Sequence, residues 1–290
     1  MKKNSIFIKT YFLLWIFIIL IMSIVAELVV KIIGTGVSAT VIIGALIVSF
    51  PLTFIIFKII MARAHKSPLA ITYSEFQKEV QENGLSERLI ELVDKGLSEI
   101  KNPDTEIGYI VSLATAGCEY YIYKRDNEKA LQYINIVDIK KVKEGKMAFL
   151  DGGAGVVTYF TGQMELCQAM KDPARANNVI ADGKPFLDKH YGKMDALDVL
   201  IDDVWFLYHY TLGDYAHARE HAQKILNNKV HNDTGMVTGY AALAMVCSRT
   251  GDTAKAEELM SQAERIAEES GKVIAKQSPE GYYREFPKTT

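Results

Sequence analysis

Four times along this chain an Asp is followed four residues later by an Ala, at Asp126/Ala130, Asp172/Ala176, Asp214/Ala218 and Asp252/Ala256, and this recurrence limits the possible folds more than any other feature. An Asp so placed can cap the helix that follows it, because its carboxylate accepts from the free N–H groups of the first turn. An Ala one turn inside lets two antiparallel helices approach closely. Apolar positions keep step with the mark. After each Ala come Ile134 and Val137, Ile180 and Gly183, Ala222 and Ile225, Met260 and Ala263; before the Asp come Ala114, Cys118 and Tyr121, Phe160, Met164 and Cys167, Phe206, then Tyr240, Ala244 and Cys247. Such ladders are what a packed helix pair requires. The spacing predicts four helix pairs over 105–270, and strand signals are nearly absent.

The stretches Leu212-Gly-Asp-Tyr-Ala-His-Ala218 and Thr250-Gly-Asp-Thr-Ala-Lys-Ala256 resemble the inter-helix turn of the tetratricopeptide repeat (TPR) family, and the first two units are looser relatives. The resemblance implies an all-α solenoid of about four helix pairs whose concave face holds extended or helical peptide segments. Intervals of 46, 42 and 38 residues between the Asp positions exceed the usual repeat of about 34, so longer helices or loops must absorb the difference.

On that geometry the concave face is lined by first-helix residues that point away from their partner helix. Its only charges are Glu119, Glu165 and Asp203, and Gln168 and Tyr210 lie on the same face. A groove of this kind suits a protein or peptide partner with Lys or Arg beside apolar side chains. Asp202 and His209 break an otherwise apolar ladder; seven residues apart, they share a helix face and form a possible polar site.

Other chemistry is poorly represented. Gly152, Gly153 and Gly155 are followed by no Lys-Ser/Thr pair and read as a helix-starting loop, not a phosphate loop. Cys118, Cys167 and Cys247 are singletons on ladder positions, expected as buried thiols. His217 and His221 stand i, i+4 on one helix, but His-x-x-Glu-His is not the zinc-protease order, and no third ligand follows at a suitable spacing. No enzyme activity, cofactor or metal is expected.

The first 66 residues differ from the rest in character. They carry seven Lys or Arg against Glu27 alone, a balance of +6, while the remainder holds 26 against 34, or −8. With the basic residues concentrated there and not in the body, a nucleic-acid partner is not expected. Two apolar runs, about 10–33 and 37–61, are long enough to span a bilayer. A cleaved signal peptide is the competing reading, weakened by the second run and by Ile24 two places before Ala26.

The expectation is therefore an N-terminal transmembrane helical hairpin over 1–66, with Glu27 and Lys31 as a membrane ion pair. Linker and leading helices follow over 67–104, then the repeats over 105–270. A tail over 271–290 closes the chain and, with Pro279, Gly281 and Pro287, should not extend the helices; it folds back as a cap or stays free. Cations flanking the two runs predict a two-pass protein of the cell membrane, with both termini and the repeat domain cytoplasmic. The implied role is a membrane-tethered interaction module whose partners are a basic peptide or protein and the lipid bilayer. The alternatives are an intracellular receptor for a peptide or small molecule that signals by changing solenoid curvature and, with the least support in the residues, an enzyme or transporter component resting on Asp202, His209 and Glu27.

Overall fold

The computed structural model describes residues 67–144, 153–229 and 232–287. The chain divides into two units, 1–71 and 72–290, and the second contains all but the start of the described structure. Twelve helices and no strand occur among the described residues. They are α1 (Pro68–Asn83), α2 (Glu87–Ser98), α3 (Ile107–Tyr123), α4 (Asn127–Ile134), α5 (Ile139–Glu144), α6 (Ala154–Met170), α7 (Pro173–His190), α8 (Asp195–Leu212), α9 (Tyr215–Asn227), α10 (Asp233–Arg249), α11 (Thr253–Ser270) and α12 (Val273–Glu285).

Four pairs, α3/α4, α6/α7, α8/α9 and α10/α11, meet at the four Asp residues. Each Asp side chain accepts from the backbone N–H three residues on, Lys129, Arg175, His217 and Lys255. Each Asp also donates its own N–H to the carbonyl five residues back, at 2.8 Å from Asp126 and 2.9 Å from Asp172, Asp214 and Asp252. The residue before every Asp is left-handed, with φ of 62° at Arg125, 55° at Lys171, 78° at Gly213 and 86° at Gly251. One turn geometry is thus repeated four times, and in the first two copies it is held by residues with a Cβ. Lys171 is exposed, so Lys171→Gly should stabilise the fold by about 0.5–1 kcal/mol in a denaturant melt. Arg125→Gly should gain less, because the Arg125 side chain donates to the Arg284 carbonyl at 3.3 Å.

The four Ala residues are buried, as are Ile134, Phe160, Met164, Met260 and the three Cys thiols. Each first helix packs on its own second helix, and successive first helices α3, α6 and α8 pack side by side, so one core runs through the pairs. The uneven intervals have visible causes. Helix α5 is inserted after the first pair, and α7, at 18 residues, outruns the 13-residue α9. At the front, α1 begins at Pro68, with Ser67 accepting from the Ala70 N–H at 3.2 Å, so the segment expected as linker and leading helices is helical almost from its start.

Two expectations are corrected. The tail is helical: Ala275, Pro279 and Tyr282 are buried at i, i+4 and i+7, a stripe whose burial overrides the helix-breaking tendency of Pro279. The fold class with a transmembrane hairpin, and with it the two-pass cell-membrane placement, is also overturned. No helix among the described residues is long and apolar enough to cross a membrane. The longest, α7, α8 and α11, have 18 residues and interrupt their apolar stripes with charge, as α8 does at Asp195, Asp198, Asp202 and Asp203. Glu27, Lys31 and both apolar runs lie outside the described residues.

Candidate functional site: an acidic groove closed by the C-terminal helix

The 3.6-residue period places Glu119 of α3, Glu165 of α6 and Asp203 of α8 at matching positions of three neighbouring first helices, and all three side chains are part-buried. Their charges act on one another, which places the three carboxyls within electrostatic reach. Burial, and then the Asp203 charge, raise the Glu119 carboxyl to about 7. Asp203 is raised to about 7, first by burial and then by the charge of Asp202. Glu165 is raised well above its ordinary range by burial and by both Glu119 and Asp203. No Lys or Arg offsets these shifts in any of the three. Carboxyls crowded into a water-poor recess hold their protons while it is empty, and a cation entering it favours their ionised form.

Gln168, one turn beyond Glu165, and Tyr210, two turns beyond Asp203, lie on the same face and are tied to the C-terminal helix. Gln168 Nε2 donates to Glu285 Oε2 at 3.0 Å, and the Tyr210 hydroxyl donates to Glu285 Oε1 at 3.0 Å. Arg249 of α10 completes the knot, donating from Nε to the Tyr210 hydroxyl at 3.2 Å and ion-pairing with Glu285. Its guanidinium also lies 5.0 Å from the centre of the Phe286 ring. Farther along, Tyr123 of α3 donates to Glu280 at 2.8 Å, and the Arg284 guanidinium stacks 3.6 Å from the Tyr123 ring centre. Helix α12 therefore crosses the C-terminal ends of α3, α6, α8 and α10, with the three carboxylates lying deeper along those helices.

Glu285, Arg249 and Arg284 were missed in the sequence. Arg249 sits just outside the ladder positions, and the Pro and Gly of the tail concealed a helix that puts Glu285 opposite Gln168 and Tyr210.

Asp202 and His209 do not form one site. Asp202 is buried and accepts from the Tyr191 hydroxyl, at 3.1 Å to Oδ2, and from His221 Nδ1 at 2.8 Å to Oδ1. His209 Nδ1 turns to Asp214 Oδ2 at 3.1 Å, and burial lowers its pKa. The two residues are linked through His221, whose ring lies parallel to that of His209 with centroids 5.6 Å apart, and the Trp205 ring lies against both imidazoles.

No protein-family model, curated protein or solved structure matches this chain, so the reading of the site rests on its own geometry.

Proposed function

We propose that the chain is a TPR-like interaction module that recruits a partner by taking a Lys- or Arg-bearing segment into the groove of Glu119, Glu165 and Asp203. The observation that carries the reading is the convergence of three carboxylates from three helices with no cation of the described chain between them. Left empty, such a group is held toward its protonated form, because ionised carboxylates in a recess would repel one another and shed water. An ammonium or guanidinium relieves both penalties at once, and an apolar neighbour of the ligand's cation can rest on Leu200 of α8, which is part-exposed. The repeated turn with its buried Ala supports the likeness to the TPR architecture, and binding requires no catalytic group.

The test is a titration of fluorescent peptides into the full-length chain, comparing a peptide that alternates Lys or Arg with Leu against its Glu-substituted counterpart. The basic peptide should bind at least tenfold more tightly, with an advantage that shrinks as salt is raised from 50 to 500 mM. Equal or stronger binding of the acidic peptide would overturn the proposal.

A further inference from the structure

Away from the groove, the third inter-helix turn differs chemically from the other three while sharing their geometry. The positions five before and three after the Asp are Tyr121 and Lys129 in the first pair, Cys167 and Arg175 in the second, and Cys247 and Lys255 in the fourth. In the first turn the residue after the Asp supplies a cation, and Lys129 Nζ lies 3.4 Å from Asp126. In the third pair both positions are imidazoles, His209 and His217. The backbone that brings Lys129 to Asp126 brings His217 Nδ1 to 2.7 Å from Asp214 Oδ2, and His209 Nδ1 approaches the same oxygen at 3.1 Å.

We propose that His209, His217 and Asp214 form a binding site for a borderline divalent transition-metal ion of the zinc class. The three donor atoms lie within 4.8 Å of one another. A tetrahedral ion with bonds of about 2.0–2.1 Å holds its ligand atoms roughly 3.3 Å apart, and the two nitrogen–oxygen edges, at 2.7 and 3.1 Å, lie close to that spacing. Two nitrogens and one carboxylate oxygen are donors that zinc, nickel or copper(II) take and that magnesium and calcium, which prefer oxygen cages, do not. A fourth position remains for water, since His217 is exposed.

The ligands are also held in place. Asp214 Oδ1 accepts from the His217 backbone N–H at 3.3 Å, which leaves Oδ2 for the ion. His209 is fixed between His217, with ring centroids at 5.0 Å, and His221, which is anchored on the buried Asp202. A bound ion would clamp the end of α8 to the start of α9.

The experiment is calorimetric titration of zinc into full-length chain purified without a histidine tag and stripped with chelator, with melting temperature as a second readout. One zinc per chain should bind and raise the melting temperature, while magnesium at the same concentration should do neither. His217→Gln, at an exposed position, should weaken zinc at least tenfold. Asp214→Asn, which keeps a side-chain oxygen to cap α9, should do the same while circular dichroism stays unchanged. Absence of binding, or zinc affinity retained in both variants, would overturn the site.

Discussion

Replacing Glu119 and Glu165 by Gln together with Asp203 by Asn should raise the unfolding midpoint at pH 8 by roughly 5 °C and flatten its dependence on pH. In the folded chain Glu119 and Asp203 keep their protons up to about pH 7. Unfolded, the same groups release them near pH 4. Between those values the folded state binds more protons, so the stability these groups support is full below pH 4, declines as pH rises through 7 and is flat above it. His209, whose pKa burial lowers, works in the opposite sense and loses stability as pH falls; it remains in the variant. Thermal melts from pH 5 to 8.5 on both proteins check the claim. A triple variant with the parent's decline would show that the carboxylates do not sense one another. The same variant should lose the preference for basic peptides, so one set of substitutions trades binding for stability.

Phe160→Ala is expected to produce the largest loss of stability from one substitution, about 3–5 kcal/mol, because it empties a fully packed site between α6 and α7. The ring is 1% exposed, meets Tyr159 edge-on at a centroid distance of 5.4 Å and carries the Lys143 ammonium 5.5 Å from its centre. It also explains why a glycine stands in the middle of α7. A Cβ at Gly183 would lie 2.8 to 3.0 Å from three ring atoms, closer than carbon atoms tolerate. Gly183→Ala should therefore destabilise despite the better helix propensity of Ala, and combining it with Phe160→Leu should cost less than the sum of the two changes. Strict additivity in denaturant melts would mean that ring and glycine do not share the space.

The helix pairs were legible because their signal is local and recurs: an Asp that caps, a small residue one turn later and a 3.6-residue ladder between them. The lining of the groove followed from the same period, so Glu119, Glu165 and Asp203 could be placed together from the sequence. Arg249 and Glu285 could not, since their meeting depends on how a segment interrupted by Pro279 and Gly281 folds back over four helix ends. The imidazole cluster was only half visible. His217 and His221 share a helix and attract notice, but His209 reaches His217 across a turn, and His221 is claimed by Asp202. In 1–66, composition suggested spanning helices, and no described helix has that character.

The crossing of α12 over α3, α6, α8 and α10 also bears on how the molecule comes apart. In a row of units that touch only their neighbours, the ends open first and loss of order creeps inward one step at a time. Here the last helix holds Tyr123 near the front of the row and Arg249 near its back. Detaching it releases several distant units together, so peeling at the terminus becomes an event felt along the whole row, and the linear stack gains the all-or-none character of a closed body.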